Sequence, residues 1–162
     1  MELTNWFTFD GFQKYKTKSV FPKNLVHGGL EVDGHPIYVA RTNHEGNVLP
    51  GYSYKGVGYF VFEKDVVVKP LEKCDLLYGD NIKFKSRHEV SFFHPHTTFV
   101  QAGHTVLREP LFVGSFSING IFYCGQLMRN GVCAIAYDGL VYLNDTPPYI
   151  LTFNWPTTTI IK

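Results

Sequence analysis

An all-β protein of two tandem repeats is what the sequence predicts, and three observations carry that prediction. Asp33-Gly34, Asn119-Gly120, Asn130-Gly131 and Asp138-Gly139 each stand beside or between β-prone runs, the strongest short-range hairpin signal. No amphipathic pattern of 3.6-residue period extends to a useful length. Residues 27–51, HGGLEVDGHPIYVARTNHEGNVLPG, are echoed by 101–125, QAGHTVLREPLFVGSFSINGIFYCG. Gly29 and Gly103, Pro36 and Pro110, Val39 and Val113, Gly46 and Gly120, and Gly51 and Gly125 are each 74 residues apart, without a gap. Most of these identities fall on Gly and Pro, which fix backbone shape. A period of this kind marks a repeated structural unit. The expected organisation is a first repeat over 1–78 and a second, more degenerate one over 79–162, with antiparallel hairpins and a meander sharing one core.

In chain order, Trp6–Phe9 is a short aromatic strand stopped by Asp10-Gly11. Lys14–Lys18 alternates charge with polar and aromatic residues, as at a solvated strand edge where lysines discourage further pairing. His27–Arg41 predicts a tight hairpin, with Asp33-Gly34 supplying the positive φ angles of a type I′ turn. Ile37–Ala40 is β-prone throughout. Turns are then expected at Asn43–Gly46 and again at Pro50-Gly51. Strands follow at Tyr59–Phe62, Val66–Val68 and Leu76–Tyr78, before a turn at Gly79-Asp80-Asn81. The second unit opens with Ile82–Lys85 and Val90–Phe93, in period two. The dense turn signals beyond Pro110 predict a meander of strands over 110–117, 121–127, 132–137 and 140–143. Pro147-Pro148 ends it, and Tyr149–Trp155 is the last strand.

Composition narrows the function. The 162 residues are 44% hydrophobic and 18% charged, enough to bury a core. A net charge of +1 and the absence of a long basic run argue against nucleic-acid binding. No run has the length of a membrane-spanning helix. MELTNWFTFDGF carries acids and no basic start followed by an apolar block, so no signal peptide is expected. Three irregularly spaced cysteines, Cys74, Cys124 and Cys133, suit reduced thiols better than a disulfide framework. A cytoplasmic protein is the expectation, with export by a route lacking a signal peptide left open.

Catalytic signatures are not apparent. Gly114-Ser115-Phe116-Ser117 is not a G-x-S-x-G elbow, and no cysteine lies in a nucleophile motif. The chain is therefore expected not to be an enzyme and to need no cofactor. His94-Pro95-His96, with His88 and His104, is the cluster to weigh for metal, since i and i+2 share a strand face. Pro95 disfavours regular strand geometry there, and surface loop histidines are preferred to a metal site.

The run GG-x-x-x-DG-x-P-I-Y-V-A-R from Gly28 to Arg41, then His44-Glu45-Gly46, then Leu49-Pro50-Gly51, resembles the DM-nine repeat family. The resemblance covers nearly the whole chain. It implies a lectin-like domain without enzymatic activity, whose mannose-binding members use an acid two residues after the double glycine and a lysine directly after the Pro-Gly. A carboxylate accepts hydrogen bonds from sugar hydroxyls and an ammonium donates them. Here Glu31 holds the acid's position and Tyr52 the lysine's, with Tyr52 expected to be exposed. Arg41, His44 and Glu45 match the family pattern and either rim such a site or form an ion-paired turn that braces the repeat. In the second copy Thr105 and Gln126 stand at the two ligand positions and make a weaker second site. The resemblance implies a glycan as ligand, in microbial or host recognition, and a homodimer. The alternative is an intracellular protein-interaction module that kept the fold and lost the sugar.

Overall fold

A computed structural model describes residues 5–8, 23–29, 32–90 and 99–153. The expected basic edge at Lys14–Lys18, most of the strand expected at Val90–Phe93, and His94 and His96 lie outside the described residues. The first half carries β1 (Asn5–Thr8), β2 (Tyr38–His44), β3 (Asn47–Tyr54), β4 (Val57–Phe62), β5 (Asp65–Pro70) and β6 (Cys74–Tyr78). The second carries β7 (Ile82–Ser86), β8 (Gly103–His104), β9 (Pro110–Ile118), β10 (Ile121–Leu127), β11 (Cys133–Tyr137), β12 (Leu140–Asn144) and β13 (Tyr149–Phe153). Only two single turns of 3-10 helix, Leu71–Lys73 and Arg87–Glu89, interrupt the strands among the described residues. The protein is all-β and antiparallel.

Its turns follow from backbone chemistry. Asp33-Gly34, Glu45-Gly46, Lys55-Gly56, Asn119-Gly120 and Asp138-Gly139 all have positive φ at both residues. That is the geometry of two-residue hairpins whose twist matches their strands. Lys55-Gly56 carries no Asx signal, so the sequence did not announce it. Pro50-Gly51, expected to turn the chain, instead lies inside β3, opposite Arg41 and Ala40 of β2. Two local causes replace the turn. Pro50 falls between the point where β3 pairs with β8, at Val48, and the point where it joins β4, at Tyr52. Gly51 has no room for a side chain, because a Cβ there would stand 2.1 Å from the Tyr59 carbonyl oxygen.

The same strand order is built twice. In the first half it runs β1-β6-β2-β3-β4-β5. In the second it runs β7-β13-β9-β10-β11-β12. Even connecting hydrogen bonds recur at the 74-residue spacing. Val26 N–H donates to the Leu77 carbonyl and Gly28 N–H to Ile37, while Val100 donates to Leu151 and Ala102 to Leu111. The loop from β10 to β11 is one residue longer than that from β3 to β4, since Leu127 pairs with Cys133 where Ser53 pairs with Gly58.

The halves also pack crosswise. β8 pairs with β3 through His104 and Val48. A Cβ on Gly103 would fall 2.0 Å from the Val48 carbonyl oxygen, and one on Gly29 would fall 1.9 Å from that of Phe122. Val48 and Phe122 are themselves 74 residues apart, so each half's glycine segment lies on the other half's strand. The buried clusters mix both copies. Val39, Tyr52 and Leu77 pack with Val113, Leu127 and Leu151, and Ala40, Leu49 and Phe60 pack with Leu111. The two repeats share their core, and burial of this apolar surface is the main stabilising term.

Candidate functional site

Where the turn after β2 meets the loop before β9, the described residues line an open cavity of about 920 Å³. The first half contributes Glu45, Asn47, Leu49, Val61, Phe62 and Glu63 to its lining. The second contributes Thr105, Glu109, Gln126, Arg129 and Asn130, with Val106, Leu107, Met128 and Leu143 as apolar neighbours. It is thus a composite site, formed only where the two copies meet. Its size lies toward the top of the roughly 300–1,000 Å³ typical of small-ligand pockets.

Asn47 holds the two walls together. Its side-chain amide donates to the carbonyls of His44 at 3.0 Å and Glu45 at 3.2 Å, while its oxygen accepts from Val106 N–H at 2.8 Å. The residue is 5% exposed, and each of these groups is satisfied by another part of the site. The loop at Thr105–Glu109 closes on itself. Thr105 N–H donates to the Glu109 carbonyl at 2.9 Å, and Glu109 N–H to the Thr105 hydroxyl at 3.1 Å. Arg108 sits at φ 70°, where the first copy has Gly34 at φ 77°. The tip directs Val106 and Leu107 outward, 61% and 81% exposed.

Three of the residues singled out from sequence line this one cavity: Glu45, Thr105 and Gln126. Gln126 emerges from β10 beside Ala134 of β11, so a short neighbour leaves space over its amide. Glu31 lies outside the described residues. Tyr52 is not the exposed residue expected. It is 3% exposed, and its hydroxyl donates to the Ala136 carbonyl at 2.6 Å. Its ring lies 5.2 Å from that of Tyr59 and 5.1 Å from that of Tyr123, and burial pushes the phenol pKa far up. The cause is the other half of the chain, which covers the Pro-Gly strand.

Arg41 and His44 do not line the cavity. The Arg41 guanidinium donates to Asp75 at 2.9 Å and lies 4.2 Å from the Trp6 ring centroid, tying β2 to β6 and β1. His44 stands 3.4 Å from the Glu45 carboxylate and edge-on to Phe62. Arg41 thus pairs with Asp75, and His44 with Glu45, within the first copy. The sequence reading missed Asn47, Glu63, Glu109 and Arg129. Their placement depends on the crosswise contact, and no local signal marks them.

Cys74, Cys124 and Cys133 are free and buried. Burial pushes the Cys74 thiol up to about 12 and raises the other two as well, so all three are held as unreactive thiols at neutral pH. No group of three or more His, Cys, Asp or Glu side chains is arranged to hold a metal ion among the described residues.

A DM9 repeat family model matches residues 31–142, more than half of the sequence. The chain belongs to the DM9 repeat family. The crystal structure of the nematode sperm cell motility protein MFP2B is similar in fold to this DM9 repeat chain, with a TM-score of 0.66 at 12% identity. The likeness covers 100% of the chain and 49% of MFP2B, so the chain spans about half the length of that protein. Comparison with curated protein sequences found no match. No helix among the described residues is long and apolar enough to cross a membrane.

Proposed function

We propose that this DM9 repeat chain is a non-enzymatic, lectin-like domain that binds a mannose-type glycan in the cavity between its two halves. One observation carries the reading: Glu45, Thr105 and Gln126 line a single cavity with Asn130 and Arg129 beside them. Glu45 accepts from vicinal hydroxyls, the Gln126 amide both donates and accepts, and Thr105 does the same through one oxygen. Phe62 supplies an aromatic surface for a sugar face. The raised thiol pKa values favour recognition over covalent chemistry. The setting we propose is glycan recognition in defence, from the reducing cytoplasm that three free thiols suit. A homodimer is part of the same proposal.

Calorimetric titration with mannose and mannose-rich glycans tests this reading. Gln126→Ala and Glu45→Ala should each weaken binding by about 1–1.5 kcal/mol, roughly tenfold, while the fold persists. No heat from the folded wild type with any of these sugars would retire it.

A protein-interaction module is the second reading, favoured by the exposed Val106, Leu107 and Leu143 at the cavity mouth. The similar fold of MFP2B, a protein described by motility, is compatible with it. Partners that stay bound in excess free mannose and are lost with Leu107→Ser would favour this alternative.

A further inference from the structure

Resting on the glycan reading of the cavity, we infer that the preferred ligand is a glycoside carrying an apolar aglycone rather than a free sugar. The cavity is mixed in character. Gln126 and Asn47 lie among the buried Leu49 and Leu111, and the exposed lining sets Leu107, at 81%, and Leu143, at 67%, beside the charged Glu45 and Arg129. Apolar side chains held in water beside polar and charged groups gain most from a ligand that carries both kinds of surface. The volume, about 920 Å³, also exceeds what one sugar ring occupies.

The other copy provides an internal contrast. At the 74-residue spacing Leu107 corresponds to Asp33 and Arg108 to Gly34, the ordinary polar pair for a tight turn. The second copy instead holds Arg108 at φ 70°, a strained angle for a residue with a side chain, and presents Leu107 to solvent. Neither choice favours the hairpin itself. Together they present the exposed Leu107 side chain on the cavity's lining.

The test compares methyl mannoside with butyl, hexyl and octyl mannosides below their micelle concentrations, on wild type, Leu107→Asp and Leu143→Ser. Leu107 and Leu143 are exposed, so both variants should fold normally. Affinity is expected to rise about twofold per methylene, short of the roughly fourfold of complete burial. That gain per methylene should shrink in either variant, by more than methyl mannoside affinity changes. Equal affinity for methyl and octyl mannoside would overturn the inference and leave the glycan reading standing. No binding of either would overturn both. Chain-length dependence reproduced by an alkyl alcohol without sugar would also overturn it, and would point to a purely apolar contact. Flotation with vesicles bearing a mannosyl lipid, beside the soluble titration, separates a membrane-held aglycone from a free one.

Discussion

The region around Gln126 and the region around Tyr52 share a backbone and differ in what fills it. Leu49, Phe62, Gln126, Met128 and Ala134 line the cavity. The corresponding positions of the other copy hold Tyr123, Tyr137, Tyr52, Tyr54 and Tyr59, once the extra loop residue is allowed for. Every one of the five becomes a tyrosine. The rings of Tyr59, Tyr52, Tyr123 and Tyr137 follow one another in that order at 5.0–5.2 Å between centroids. A tyrosine buries about 150–250 Å², so this series fills the equivalent junction between the copies with packing. Duplication supplied the frame twice, and side-chain volume decided which of the two junctions between the copies kept an opening at these positions.

The largest effect should come from emptying the packed side. Tyr52→Ala is expected to lose about 3–5 kcal/mol in urea unfolding, because a buried ring leaves a cavity behind. Tyr52→Phe, which removes only the bond to Ala136, should lose about 1–2 kcal/mol. Gln126→Ala, over a space already open, should lose under about 1 kcal/mol. Equal losses for Tyr52→Ala and Gln126→Ala would erase the contrast.

The next effect sharpens the symmetry. Gly29→Ala and Gly103→Ala should each cost about 1–3 kcal/mol or more, since each Cβ meets a carbonyl oxygen of the other half. A large loss in one and none in the other, measured by thermal unfolding, would show that the crosswise contacts are unequal.

Asn47 belongs to the cavity side alone, because its counterpart is Ile121. Asn47→Ala should lower stability by about 1–2 kcal/mol and, by releasing the Val106 loop, lower mannose affinity too. Unchanged affinity in the folded variant would separate the loop from the site.

The smallest effect tests the buried thiols that the two sides share. Cys74 is raised in the folded protein from about 9 to about 12 by burial, so the unfolded chain loses its proton first. Its stabilising contribution is whole below about pH 9 and fades as pH rises toward 12. Urea midpoints should already fall by the equivalent of about 1 kcal/mol at roughly pH 9.5. Rapid labelling of native protein by a thiol reagent at neutral pH would contradict this burial.

Much of this was legible in the sequence where the cause is local. Asp33-Gly34, Asn119-Gly120 and Asp138-Gly139 announced their hairpins because Asx and Gly accept positive φ, and the spacing of Gly and Pro exposed the duplication. The family resemblance marked Glu31 and Tyr52 as ligand positions, the spacing carried them to Thr105 and Gln126, and these two line one cavity. What failed depends on distant residues. Pro50-Gly51 has the composition of a turn, yet Gly51 is there for the approach of Tyr59. Tyr52 resembled an exposed ligand group, and only the opposite half reveals that it is covered. The one-residue change in loop length also hid the match of Tyr59 with Ala134.

The crossed glycines set an order of events during synthesis. Gly29 rests on Phe122, a residue made much later, while Gly103 rests on Val48, made long before. As the chain leaves the ribosome, the earlier copy waits unfinished until the later one arrives, whereas the later copy meets a template already present. Contacts so distant along the chain also make folding slow.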